Sequence, residues 1–203
     1  MVPHVTDSME STFISGYIRK LLQKRHEPGH DSQAALLKTE RAPMYDDLTG
    51  FYSQAYLTAL LEQEKARAER GQGAFCVGIV GIDGFDLLSD YYGAAGRESV
   101  LRHVGAAIAV ELRRADAVGR YRDDEFAFVL FQTGLDNASN SVERVRRRIA
   151  ALQISSLLPA QKFTASIGLA EFRPGEEVAN LMGRAVSALD RAQAGGRNRI
   201  EIG

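Results

Sequence analysis

Arg113 and Asp116 stand three positions apart and combine the two side-chain types that can together recognise guanine. A guanidinium fork can donate two hydrogen bonds to guanine O6 and N7 or to a phosphate, and it can stack on a base. A carboxylate can accept hydrogen bonds from the N1–H and N2–H₂ edge of the same base. The spacing also suits a surface i, i+3 ion pair worth roughly a few tenths of a kcal/mol, and by itself it favours that ion pair.

Alternating helix and strand patterns surround this pair. Helical spacing and β-branched apolar runs predict helices over about 54–70, 93–113, 136–152 and 176–194, and strands over about 74–82, 117–121, 125–131, 163–171 and 199–202. Polar residues at 122–124 separate two of the strands and favour a hairpin. The order predicts an α+β plait in which helices flank a central, mainly antiparallel sheet.

The N-terminal part has a different pattern. Residues 1–26 are predicted to contain an amphipathic helix, because apolar side chains recur at helical spacing from Phe13 to Leu22. Residues 27–43 include Pro28 and are predicted to be a linker, which leaves 44–203 as the main domain. The apolar stripe can pack on this domain, pair with its copy in a homodimer or dock a partner helix, and the sequence leaves these alternatives open.

Composition excludes several functions. The 25 Lys and Arg residues balance 26 Asp and Glu residues, so a DNA or RNA partner is not expected. Apolar runs are far shorter than the roughly 20 residues that span a bilayer, and no signal pattern opens the chain, so we expect a cytoplasmic protein without a membrane partner. Cys76 lies in an apolar run and is predicted to be buried, and the scattered histidines predict no metal site.

Four segments match, in order and spacing, the motifs of one domain family. They are residues 46–50 (DDLTG, against D-x-L-T-G), 81–93 (against D-x-D-x-F-K-x-x-N-D-x-x-G), 120–126 (RYRDDEF, against R-Y-G-G-D-E-F) and 192–199 (AQAGGRNR, against A-K-x-x-G-R-N-R). Short motifs match by chance, but four in register over residues 46–202 are specific. The chain resembles GGDEF domains, the diguanylate cyclases that join two GTP molecules into cyclic di-GMP, a bacterial second messenger. The resemblance implies the GGDEF, nucleotidyl-cyclase-like fold.

The resemblance also shows where this chain departs from the family. One metal-binding carboxylate of the family ends the first strand, and the matching residue here is Gly81, which has no side-chain oxygen. Asp124 matches the other acidic site, and Glu125 is retained. Mg²⁺ prefers several oxygen ligands, so a single remaining carboxylate predicts weak binding, and no bound Mg²⁺ is expected.

The substrate positions depart as well. The paired glycines of the family hairpin match Arg122 and Asp123, whose bulk and negative charge would oppose a triphosphate. At the position where the family reads guanine, Ser89 replaces an Asn and Asp90 is retained. Gln193 replaces a phosphate-binding Lys, although Arg197 remains. Asp86 and Ala94 replace two further family residues, a Lys and a His. Together these departures predict a degenerate domain that is not an enzyme.

Arg113 and Asp116 match the R-x-x-D inhibitory site (I-site) through which many GGDEF domains bind cyclic di-GMP, and Arg144 matches an arginine that reaches the ligand from a neighbouring domain or protomer. The resemblance therefore implies a cyclic di-GMP receptor. Two alternatives stay open: a protein-interaction scaffold that binds no nucleotide, and a weak residual cyclase.

Overall fold

The computed structural model describes residues 43–154 and 162–203. The predicted N-terminal helix over 1–26 and the linker over 27–43, apart from its last residue, lie outside the described residues. Both therefore stay predictions, as does the domain division that depends on them.

The described residues form helices and strands in the order α1 (Gln54–Glu69), β1 (Cys76–Ile82), α2 (Phe85–Glu111), β2 (Ala117–Arg120), β3 (Glu125–Leu130), α3 (Leu135–Ala150), β4 (Ala165–Glu171), α4 (Val178–Ala194) and β5 (Ile200–Ile202). One sheet has the strand order β2-β3-β1-β4-β5. Every neighbouring pair is antiparallel except β4 and β5, which are parallel. The predicted α+β fold with a mainly antiparallel sheet is confirmed.

The sheet is buried on both faces, because helices cover each of them. All residues of β1 are buried, and they alternate between two apolar clusters. Cys76 and Val80 face the cluster to which α2 and α3 contribute, whereas Val77 and Ile79 face the cluster of α1 and α4. This double burial explains why β1 reads as a continuous apolar run instead of an alternating one. The first polar residues after this central strand lie at the carboxyl end of β1.

Helix α2 differs from its prediction. It begins at Phe85 and not near residue 93, and it is kinked at Gly93, whose φ of 61° and ψ of −166° are not helical. Only glycine adopts this conformation readily. Gly93 therefore divides α2 into two helical segments, and the second segment corresponds to the helix predicted from about residue 93. Gly84 occupies the N-cap position with a left-handed φ of 70° and offers no capping side chain, so the usual sequence signal of a helix start is missing.

The other boundaries lie within two residues of their predictions. Cys76 is buried as expected, and burial raises the pKa of its thiol to about 12. In the part of the chain that the structure describes, no helix is both long and apolar enough to cross a membrane.

Candidate functional site

Arg113 and Asp116 lie in the tight turn between α2 and β2. The Asp116 N–H donates to the Arg113 carbonyl at 3.0 Å, and the Arg113 N–H donates to Oδ2 of Asp116 at 2.8 Å. The Asp116 residue is only 5% exposed, whereas Arg113 is exposed. Asp116 therefore holds the turn together, and the turn presents the Arg113 side chain to solvent. The sequence predicted the pair but not this division of roles.

Arg144 reaches the same corner from α3. Its Nη2 donates to the Glu111 carbonyl at 3.2 Å, and its Nε lies 3.5 Å from Oε2 of Glu111. Glu111 is the last residue of α2, two positions before Arg113. The fold thus brings together arginines that are far apart in sequence. Glu111 is a partner that the sequence analysis missed, because no local pattern indicates that α2 and α3 pack against each other.

The second group of candidate residues surrounds the β2–β3 turn. Arg120 donates from Nε to the Arg122 carbonyl at 2.6 Å and from Nη2 to the Asp123 carbonyl. Its guanidinium therefore fixes the path of the turn, and burial lowers the pKa of Arg120. Arg122 and Asp123 are both exposed. The motif match included Arg120, but its part in shaping the turn follows only from the structure.

Asp124 and Glu125 follow this turn at the start of β3. Burial is the main cause that raises the pKa of each carboxyl group. The nearby Asp86 and Asp123 raise the pKa of Asp124 further, whereas the Arg122 guanidinium, 3.7 Å from Oε2 of Glu125, opposes the rise at Glu125. Acidic groups therefore lie close together in a partly dehydrated place. This arrangement favours either protonation of the carboxyl groups or a cation beside them.

Gly81 pairs with Glu125 on β3 and with Ser166 on β4. It therefore lies on the central strand, close to the carboxyl end of that strand. A Cβ atom at this position would lie 2.8 Å from Nε2 of Gln193. The Gln193 amide thus occupies the space that a side chain at position 81 would enter. Because the sequence places these residues more than a hundred positions apart, their proximity was not predicted.

The residues present do not fit the magnesium site that the family resemblance implies. Gly81 supplies no oxygen, and the amide of Gln193 stands beside it. Within 43–154 and 162–203, no group of three or more His, Cys, Asp or Glu side chains is placed to hold a metal ion. The expectation that Mg²⁺ is not bound nevertheless stays a prediction.

The remaining predicted residues lie near the carboxyl end of β1. Ser89 belongs to α2, and the neighbouring Asp90 is exposed. Arg197 is exposed in the loop after α4, and the next residue, Asn198, donates its N–H to the Asp83 carboxylate at 3.0 Å. The structure therefore forms two separate candidate sites, one at the α2–β2 turn and one at the end of β1.

A mixed sheet with helices on both faces, and an acidic hairpin turn beside its central strand, define an α+β domain of the nucleotidyl-cyclase-like class. The family model described as "Diguanylate cyclase, GGDEF domain" matches residues 43–199. The chain belongs to the GGDEF family.

Named diguanylate cyclases are among its relatives. Diguanylate cyclase DgcP of Pseudomonas aeruginosa is 31% identical over 192 residues, which are 93% of this chain and 29% of the relative. Diguanylate cyclase DgcM of Escherichia coli K12 is 29% identical over 161 residues, which are 79% of this chain and 38% of the relative. The chain thus spans well under half the length of these proteins.

Solved structures agree with the fold. The GGDEF domain of DgcB from Caulobacter crescentus, in complex with c-di-GMP, is 28% identical with a TM-score of 0.75, and the match covers 80% of this chain and 97% of that one. Diguanylate cyclase SiaD of Pseudomonas aeruginosa, in complex with its activator SiaC, is 29% identical with a TM-score of 0.77, and the match covers 96% of this chain and 71% of that one.

These comparisons contradict the prediction that the domain is not an enzyme. The matching family is that of the diguanylate cyclases, and the relatives carry that name, which points to enzymatic activity. The departures at Gly81, Arg122 and Asp123 describe how this site differs from the motif, but they do not establish inactivity. Asp124 and Glu125 retain carboxylates beside the central strand, and the prediction gave them too little weight.

Proposed function

We propose that this GGDEF domain binds cyclic di-GMP at the α2–β2 turn, through Arg113, Asp116 and Arg144. The observation that carries the proposal is the contact between Arg144 and Glu111, because it brings a second guanidinium to the turn that exposes Arg113. Two arginines at one corner suit a ligand with two phosphates and two guanine bases.

Each side chain has a distinct task in this proposal. Arg113 is exposed, so its guanidinium can take a guanine Hoogsteen edge or stack on the base. Asp116 is only 5% exposed and accepts the Arg113 N–H, so its task is to hold the turn that presents Arg113 to the ligand. Arg144 can balance a phosphate once it leaves Glu111. The DgcB domain, which was solved with c-di-GMP, supports this ligand class for a domain of the same fold.

Calorimetric titration of the full chain with cyclic di-GMP tests the proposal. Arg113→Ala should weaken binding at least about tenfold, which corresponds to about 1.4 kcal/mol. Arg147→Ala is the matched control, because Arg147 is on the same helix as Arg144, α3, and pairs with Glu143 instead of Glu111. It should leave the affinity unchanged.

Two results would reject this site. Absence of binding at about 50 μM ligand, a free energy weaker than about −6 kcal/mol, would favour the scaffold alternative. Equal losses in Arg113→Ala and Arg147→Ala would instead indicate diffuse attraction between the ligand and a basic helix.

Whether residues 1–26 pair two copies or dock a protein partner is a separate prediction. Sedimentation of the full chain and of a chain without these residues tests it.

A second candidate function is diguanylate cyclase activity at the β2–β3 turn. The retained carboxylates of Asp124 and Glu125 favour it, as does the activity for which the relatives are named. Incubation with GTP and Mg²⁺ or Mn²⁺, followed by chromatography, tests for product. Turnover that Asp124→Ala abolishes would support this function, and absence of product after prolonged incubation at high enzyme concentration would reject it.

A further inference from the structure

The first segment of α2, before the kink at Gly93, carries an exposed apolar patch formed by Leu87 and Tyr91. Leu87 is 66% exposed and Tyr91 is 81% exposed, more than any other large apolar residue in the part of the chain that the structure describes. Residues four positions apart share one face of a helix, so the two side chains are neighbours. Neighbouring exposed apolar side chains, unlike scattered ones, indicate a surface that contacts another element.

Acidic side chains border this patch. Asp86 and Asp90 are exposed, and each precedes a member of the patch by one position, so they form a parallel row on the same helix. Residues 81–96 contain three Asp and no Lys or Arg. A segment that docks on this face should therefore combine apolar side chains with basic ones and carry no acidic ones.

Residues 11–26 of the same chain, which lie outside the described residues, have this composition. They contain no Asp or Glu, and they include the apolar stripe from Phe13 to Leu22. Their four basic residues, apart from a histidine at the end, are Arg19, Lys20, Lys24 and Arg25. Lys20 and Lys24 are four positions apart, which is the spacing of the two bordering aspartates on α2. The predicted helix therefore carries a basic row that matches the acidic one.

The chain is long enough for this contact. Residues 27–42 connect the segment to Pro43, the first described residue, and an extended chain of this length spans roughly 53 Å at about 3.3 Å per residue. A compact domain of about 160 residues is roughly 40 Å across, so this linker can bring the segment to the patch. A tethered segment also acts at an effective concentration in the millimolar range, which favours it over a free partner.

We infer that residues 11–26 dock in the same chain on the face of α2 formed by Leu87 and Tyr91, with their basic side chains against Asp86 and Asp90. The apolar stripe covers the patch, and the bordering charges fix its orientation and disfavour acidic segments. The covered face is close to the hairpin turn, because the charge of Asp86 acts on Asp124. A partner that takes up residues 11–26 would therefore uncover this part of the domain. The inference depends on neither proposed function.

A single tryptophan tests the contact, because the chain has none of its own. In the full chain with Tyr91→Trp, acrylamide should quench the fluorescence about threefold less than when Ile18→Asp is added, because threefold protection corresponds to about two thirds of the molecules docked. Ile18→Asp places a charge in the apolar stripe. Ile202→Trp is the matched control, because Ile202 is exposed on β5. Its quenching should be the same with and without Ile18→Asp.

A charge exchange tests the orientation. Lys20→Glu with Lys24→Glu leaves the apolar stripe intact but places like charges against α2, so it should abolish the protection of the introduced tryptophan. Adding Asp86→Lys and Asp90→Lys to that chain should restore the protection. A contact that depended on apolar side chains alone would not respond to this exchange.

Three outcomes would overturn the inference. The first is equal quenching of the Tyr91→Trp chain with and without Ile18→Asp, which, together with sedimentation as a dimer, would show that residues 11–26 pair with their copy instead. The second is protection that disappears when the protein is diluted, which would assign the docked segment to a second chain. The third is a charge exchange that fails to restore the protection.

Discussion

Replacement of Glu111 by Gln should strengthen the binding of cyclic di-GMP. Glu111 holds the Arg144 guanidinium through an ion pair and a carbonyl hydrogen bond, and the ligand must compete for that guanidinium. Gln is nearly isosteric and leaves the backbone carbonyl in place. The substitution therefore removes only the charge that retains Arg144 and repels the phosphates of the ligand.

The size of the effect follows from the exposure of the pair. The Nε–Oε2 distance is 3.5 Å, and the side chains of Arg144 and Glu111 are 53% and 22% exposed. Ion pairs this open to solvent contribute between about 0.2 and 1 kcal/mol. Release of about 0.8 kcal/mol corresponds to about fourfold tighter binding. Salt screens such interactions over about 8 Å at 0.15 M, so the gain should shrink in 1 M salt.

Calorimetric titration of wild type and Glu111→Gln at two salt concentrations measures this gain. Glu143→Gln is the matched control, because it removes the same charge from the neighbouring helix but pairs with Arg146 and Arg147. The gain should also be lost when Arg144 is replaced by Ala. Unchanged or weaker binding in Glu111→Gln, or an equal gain in Glu143→Gln, would refute the reasoning.

Three other variants or reagents test the fold and the hairpin. Gly168→Ala should lower the free energy of unfolding in urea by about 3 kcal/mol or more, because its Cβ would lie 2.0 Å from a backbone oxygen of α4. Gly81→Ala should lower it by less than about 1 kcal/mol, since the flexible end of Gln193 can move away, and equal losses would contradict this packing. Asp124→Asn should raise the melting temperature at pH 7 but not below pH 3.8, the ordinary pKa of the group. Folding raises the pKa of this carboxyl group, so its charged form destabilises the folded state above that pH, and the same gain at pH 3 would show another cause. Cys76, with a thiol pKa of about 12, should react with a disulfide reagent at pH 8 only after unfolding, and rapid reaction of the native protein would contradict its burial.

Much of the fold could be predicted because its signals are local. Strand β1 is a continuous apolar run, and the polar turn before Glu125 separates two apolar segments, so periodicity and turn chemistry sufficed. The start of α2 was missed because Gly84 caps it without a side chain, and a helix start of this kind has no signature in composition. Local patterns therefore predicted the elements, except where glycine replaced the usual cap.

The candidate sites were only partly predictable, because their decisive contacts are distant in sequence. The motif match identified Arg113, but the competition of Glu111 for Arg144 depends on the packing of α2 against α3. The motif match likewise identified Gly81 but not the Gln193 amide beside it. A comparison with the motif alone then overstated what the missing carboxylate implies, and this is why the prediction about enzymatic activity was wrong.

The two candidate sites share one structural device. In each, an aspartate accepts a backbone N–H and so fixes a short turn, while an arginine in that turn remains exposed. Asp116 does this for Arg113, and Asp83 does it for the loop of Arg197. A carboxylate used in this way stabilises the backbone and limits the conformations of the neighbouring guanidinium, which lowers the entropy lost when a ligand binds. Loss of Asp116 should therefore weaken the binding of cyclic di-GMP even if its own oxygens never touch the ligand.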